Sequence, residues 1–154
     1  MIPLPGHFFE MVGFRTPDDV VYLADCLSGK QTLDKYQISF IYDVGAYLDT
    51  LEAVKRMQAK VFVPAHAAAT ESVAELAQYN IDKVYEIKEK IAGICHTPRC
   101  FEEILRILFT EYSLVMSFEQ YVLVGSTVRS YLSWMKDSGA LTARFENNML
   151  LWEK

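Results

Sequence analysis

The stretch LPGHFFEMVGFRTPDDVVYLAD, residues 4–25, decides how this chain folds. Phe8 to Phe14 reads as a strand, and Val20 to Ala24 as a second, buried one. Arg15-Thr16-Pro17-Asp18-Asp19 between them reads as a turn, because proline fixes φ and the aspartates supply local acceptors. The two strands predict a hairpin. His7 stands just before the first strand, after Pro5-Gly6, and Asp25 stands immediately after the second.

Downstream of this stretch, Gly29 to Tyr36 is polar and poorly periodic and predicts a connection. Val44, Tyr47, Leu48, Leu51 and Val54 recur at spacings of three and four, which predicts an amphipathic helix over residues 43–58. Val61-Phe62-Val63 predicts a short strand stopped by Pro64, with His66 just beyond it. Strand–helix alternation of this kind predicts α/β layering. A long helix follows over residues 72–92, with Val73, Leu76, Ala77, Ile81, Val84, Ile87 and Ile91 as its apolar set. Asn80 is its weaker position and Gly93 its terminator. The near-heptad spacing suits a helix docked on its own domain, or a dimerisation helix.

The last third has another texture. Thr97-Pro98 reads as a helix start, with Phe101, Ile104, Leu105 and Leu108 on the inner face. Ser117 reads as the cap of a short helix to Val124, and Ser126 as the cap of a third helix to Asp137, ended by Gly139. Leu141, Ala143 and Phe145 then alternate up to Asn147-Asn148, a pair tolerant of positive φ, and Met149 to Trp152 returns. Three helices and a hairpin are the order of a winged helix-turn-helix. The expected division is therefore 1–94 and 95–154.

Composition narrows the function classes. With 154 residues the chain buries roughly 69% of its unfolded surface, enough for one good core or a small domain with an appendage. No apolar run approaches the ~18 residues of a membrane span, and no charged and apolar leader opens the chain. Twenty acidic against fifteen basic residues argue against a nucleic-acid or anionic-membrane surface. Residues 95–154 carry six basic and seven acidic residues, so the winged-helix-like end is poorly suited to DNA. Its Tyr131, Trp134 and Trp152 suit packing or an interface instead. Three cysteines without CxxC spacing predict reduced thiols and a cytoplasmic location.

His7, Asp25 and His66 all fall at strand ends, so one edge of a sheet can gather them. Two imidazoles and a carboxylate suit zinc, iron or manganese. Each residue also has a bland use: a hydrogen-bonded structural histidine, or an aspartate closing a turn. Cys95, His96 and Cys100 match no zinc spacing, and Ser28-Gly29-Lys30 lacks the spacing of a phosphate loop.

Taken in order, Pro5-Gly6-His7, Ala24-Asp25 and Pro64-Ala65-His66-Ala67 resemble the second half of the metallo-β-lactamase superfamily, over about residues 3–95. The resemblance implies a partial αββα layer of about three strands plus helices, followed by the small winged-helix-like domain. It implies that His7 holds one metal and His66 a second, with Asp25 bridging them. It implies hydrolysis of an ester, thioester, lactone or phosphodiester by a metal-bound hydroxide, with zinc as the expected cofactor and iron or manganese as alternatives.

The departures carry expectations of their own. The family's HxHxDH signature occurs nowhere in the chain, so no catalytic residue is assigned. Glu10, Ala24 and Ala67 stand where the family's motifs carry glycine, and Glu10 is either an extra ligand or a solvated carboxylate. Three strands do not close a sandwich, so one sheet face is expected to lack its partner. The chain is expected to be a fragment without efficient catalysis alone, completed by a missing N-terminal half or by a homodimer. The rival expectation is a non-catalytic binding or dimerisation module.

Overall fold

The computed structural model describes residues 1–154. The chain forms two compact units, Met1–Val84 and Tyr85–Lys154. The division falls inside a long helix, whereas the sequence suggests one after residue 94.

The first unit is built on a four-stranded sheet of order β1-β2-β3-β4: β1 (Ile2–Pro3), β2 (Val12–Arg15), β3 (Val20–Ser28) and β4 (Val61–His66). The hairpin β2–β3 is antiparallel, with Phe14 opposite Tyr22. Its turn is closed by Thr16, whose N–H donates to the Val20 carbonyl at 2.9 Å. Asp19, at φ 68°, accepts from Arg15 Nε at 2.7 Å. The same aspartate reaches onward: the Lys60 N–H donates to its carbonyl at 3.1 Å and to Oδ2 at 3.0 Å. β4 then runs parallel to β3, starting from Val61 opposite Val20.

Several expectations need correction here. The first predicted strand is shorter: residues 6–10 are bends and turns, and β2 begins only at Val12. β3 does not stop at Ala24 but continues to Ser28, so Asp25 lies inside a strand. Ala24 takes φ 47° and the β3–β4 register shifts there, which breaks the alternation that marks a strand in sequence. Residues 30–36 are not a bare connection but a helix, α1 (Lys30–Tyr36), which buries only Leu33 and so shows no periodicity. Pro64 does not end β4, because β4 is an edge strand and a missing donor is tolerated there.

Helix α2 (Val44–Lys55) forms as expected, capped by Asp43, whose carboxylate accepts from the Ala46 N–H at 2.9 Å. It buries Val44, Tyr47, Leu48, Leu51 and Val54. These share the core of this unit with Leu4, Val21, Leu23, Phe62 and the Ala77, Ile81 and Val84 stripe of α3 (Ala74–Ile94). Each such aliphatic side chain contributes about 1.5–3 kcal/mol on burial. The opposite side of the hairpin is bare: Phe14 is 51% exposed and its cross-strand partner Tyr22 is 46% exposed, with Val12 beside them on the same strand face. The expected unpartnered apolar face is present.

The second unit joins the end of α3 to α4 (Phe101–Glu111), α5 (Phe118–Asp137) and the hairpin β5 (Thr142–Glu146) and β6 (Met149–Glu153). Its core holds Ile87, Ile91, Cys95, Ile104, Leu105, Leu108, Val128, Tyr131, Leu132 and Met135. α4 starts after Cys100 rather than at Thr97-Pro98, because Arg99 is drawn into a backbone bridge with Trp152 (N–O 3.0 and 2.8 Å). Residues 118–137 are one helix, not two. Ser126 is no cap; its hydroxyl donates back to the Val122 carbonyl at 2.8 Å within the helix. After residue 95 the chain thus carries two helices and a hairpin, where the sequence suggests three. Ser117 does cap α5, and Gly139 (φ 74°), Asn147 (φ 50°) and Asn148 (φ 62°) turn the chain where expected. No helix is long and apolar enough to cross a membrane.

Candidate functional site

Gly6 fixes the position of His7. At φ +119° it takes a backbone conformation that L side chains rarely adopt, and a Cβ there would fall 2.2 Å from the Tyr47 backbone nitrogen. The close approach seats residues 5–7 on the start of α2. The N–H groups of Tyr42 and Asp43 donate to the Gly6 carbonyl at 2.9 and 3.0 Å, and Thr50 Oγ1 donates to the Pro5 carbonyl at 2.6 Å. His7 follows with little freedom. Its ring meets Phe40 edge-on, with centroids 5.5 Å apart, and it hydrogen-bonds the Phe40 backbone.

Asp25 is set by the kink at Ala24. A positive φ at a residue with a Cβ costs roughly 1–2 kcal/mol. The kink that aims Asp25 is therefore held at a cost in strain. His66 sits at the end of β4, where its carbonyl accepts from the Gly29 N–H at 3.0 Å. Ser28, opposite His66 in the ladder, is held by Asn80 of α3. The Asn80 carboxamide accepts from the Ser28 N–H at 3.1 Å and donates to the Ser28 carbonyl at 2.9 Å, and it also accepts from the Tyr47 hydroxyl at 3.2 Å. Asn80 is only 2% exposed. In sequence it is merely the weak position of α3, although a polar residue on the Ala77–Ile81–Val84 stripe was a readable signal.

These elements bring the three sequence-predicted residues together. His66 Nε2 lies 3.2 Å from Asp25 Oδ1, and His7 Nε2 lies 3.9 Å from Asp25 Oδ2. One carboxylate thus turns a different oxygen to each imidazole. His7 is the more enclosed histidine, and burial, with a smaller push from His66, lowers its pKa below the ordinary value against the raising effects of the Asp25 charge and the Phe40 bond. The shift favours the neutral form of His7. Cys26, next to Asp25, points into the core, and burial together with the Asp25 charge pushes its thiol up to about 12. It stays protonated and takes no part in the site. Burial likewise raises Cys95, to about 11, while Cys100 lies at the start of α4. Glu10 is exposed on the turn after His7 and lines an open cleft with His7, Phe8, Phe9, Met11 and Asp25. The aromatic character of this cleft, from Phe8 and Phe9 backed by Tyr42, is the feature that the motif reading passed over.

Two imidazoles and a carboxylate are suitable donors for a divalent metal. In a tetrahedral site with bonds of about 2.0–2.1 Å, neighbouring donors lie roughly 3.3–3.4 Å apart. The His66–Asp25 pair matches this, and the His7–Asp25 pair is wider. The donors fit in kind and in pairing and fall short in number: no group of three or more His, Cys, Asp and Glu side chains is arranged here to hold an ion.

No family model and no curated protein matches the sequence. Solved structures do match. This is a metallo-β-lactamase-like fold, at 14–15% identity to the structures that share it. A metallo-β-lactamase family protein of Thermus thermophilus superposes with a TM-score of 0.74 at 15% identity, over 98% of this chain and 48% of that one. A β-lactamase domain protein of Burkholderia ambifaria gives 0.76 at 14% identity, over 97% of this chain and 45% of its own. The chain spans about half the length of either.

Proposed function

We propose that this chain supplies one half of the metal centre of a metal-dependent hydrolase of the metallo-β-lactamase type. The observation that carries the reading is the convergence of His7 and His66 on opposite oxygens of Asp25, at 3.9 and 3.2 Å. His7 and His66 would each hold one metal, with Asp25 shared between them. Zinc is the metal the resemblance implies, and the same donors would serve iron or manganese. When bound, the metal would polarise an ester, thioester, lactone or phosphodiester and activate water against it. The chain's own residues hold and orient. The Phe40 bond fixes the His7 ring, as partners of metal-ligating histidines do. Neutral His7 has a lone pair to offer. Each imidazole–carboxylate pair provides two donors where tetrahedral zinc takes four, so the chain alone has no efficient activity. The remaining ligands come from an N-terminal half or a second copy. Free thiols at Cys26, Cys95 and Cys100 suit a reducing, cytoplasmic setting.

The test is zinc titration of chelator-stripped protein, followed by calorimetry and native mass, beside a His7→Ala/His66→Ala variant. Zinc uptake by the wild type that disappears in the variant is expected. Wild-type protein that takes up no zinc, with its fold intact by circular dichroism, overturns the reading.

The second reading is a binding or dimerisation module, favoured by the bare Phe14–Tyr22 face. The aromatic residues first suited to an interface are engaged within the second unit: Tyr131 is buried, and Trp134 packs against Tyr131 and Tyr85. Arg129 of α5 lies over the Phe101 ring at 3.5 Å, which leaves DNA contact without support.

A further inference from the structure

Beside the His7–Asp25 pair lies an open cleft of about 490 Å³ lined by His7, Phe8, Phe9, Glu10, Met11 and Asp25. Its walls combine two features. The first is an aromatic ledge on exposed ground. Phe8 and Phe9 are 50% and 54% exposed, and their rings lie 4.7 Å apart. Tyr42, itself half-exposed, backs both, at 6.0 Å from Phe8 and 5.5 Å from Phe9. Large apolar side chains gathered at the mouth of a cleft mark a recognition surface. The second feature is charge: the carboxyl groups in the lining are Glu10 and Asp25, and no lysine or arginine lines the cleft. Asp25 is committed to the metal in the hydrolase reading, so Glu10 is the charge left beside the rings, and an anionic group lying on them would meet like charge there. A flat uncharged group would lie on the rings and lose nothing.

We propose that Phe8, Phe9 and Tyr42 form a subsite for an uncharged aryl or acyl group of the substrate, beside the metal-holding residues. The inference rests on the hydrolase reading above and narrows it. It predicts that the substrate group carried beside the scissile bond is flat and uncharged, whichever of the four bonds is cleaved. Glu10 acts here by excluding anions, not as a metal ligand. Phe8 and Phe9 are specificity-determining residues.

The experiment compares two fluorescent probes with the same ring system, neutral N-phenyl-1-naphthylamine and its 8-sulfonate, titrated into the full metal-free chain. The neutral probe is expected to bind at least about tenfold more tightly than the sulfonate, and Phe8→Ala/Phe9→Ala to weaken it by at least about tenfold. Glu10→Lys is expected to narrow the neutral-over-anion preference, and being an exposed turn substitution it reads out even if the double variant misfolds. Equal binding of both probes overturns the proposal. So does neutral-probe binding that survives in Phe8→Ala/Phe9→Ala and is lost in Phe14→Ser/Tyr22→Ser, which would assign it to the bare sheet face. Zinc titration separates the two readings. Zinc uptake without neutral-probe binding removes the subsite alone, and probe binding without zinc uptake removes the hydrolase reading and leaves the ledge as a binding site.

Discussion

The two units of this chain solve the same packing problem by different means. The second unit is regular. Its helices are capped, its core is mostly aliphatic with Phe109 and Tyr131 buried among it, and its positive-φ residues near the hairpin fall where glycine and asparagine stand, at Gly139, Asn147 and Asn148. The first unit carries its exceptions at the site. Gly6 presses on the Tyr47 backbone, Ala24 is held at positive φ before Asp25, and a buried carboxamide grips the strand end opposite His66. Strain and satisfied buried polar groups collect where geometry is over-determined, and such places serve function more often than stability.

The contrast is broken most sharply at Gly6. A Cβ there has no room against main-chain atoms, so Gly6→Ala is expected to destabilise the first unit by about 3 kcal/mol or more. Urea unfolding checks this, with hydrogen exchange showing the loss confined to residues 1–84. Asn80→Leu comes next. It removes the partners of both backbone groups of Ser28, and leaving them buried and unsatisfied is expected to cost about 2–3 kcal/mol in the same assay. A pair of opposite exchanges then sharpens the comparison. Ala24→Gly relieves a positive φ, and Gly93→Ala adds a methyl to a helix position with nothing within 4 Å. Each is expected to stabilise by about 0.5–1 kcal/mol in thermal unfolding.

The smallest effect is electrostatic. The folded pKa of His7 lies below its ordinary value of 6.5. Above that value both states are neutral and stability is full. As pH falls below it, the unfolded chain takes up the proton first and stability declines, until the folded pKa is reached and the decline stops. Urea midpoints across this range are expected to show that slope in the wild type and a flatter one in His7→Gln.

The two histidines of the candidate site were legible because they sit in short proline-marked motifs, whereas Asp25, expected at a strand end, lies inside β3. His7 follows Pro5-Gly6 and His66 follows Pro64-Ala65, the short motifs that carry the resemblance. What stayed hidden depends on partners remote in sequence. The carboxamide of Asn80 acts on a residue 52 positions away. Arg99 leaves the predicted helix start because Trp152 pairs with it. Helix α1 buries a single leucine, and the Ala24 kink concealed the second half of β3 by breaking its alternation. The unpartnered sheet face was foreseen from strand count alone, and Phe14 and Tyr22 realise it.

Asp19 closes the hairpin turn locally and also holds Lys60, one residue before the first rung of the parallel β3–β4 ladder. That ladder otherwise requires the chain to close a loop of about forty residues, an entropic cost that grows only slowly with length but must be met before any rung forms. Tethering at Asp19 meets it once, and each later rung orders only its own residues. The ladder is thus tied at Asp19 and clamped by Asn80 at Ser28, so the irregular stretch between Ala24 and Ser28 that bears Asp25 is its loosest part. Amide exchange faster at Asp25 than at Val21 would show this, and the reverse order would refute it.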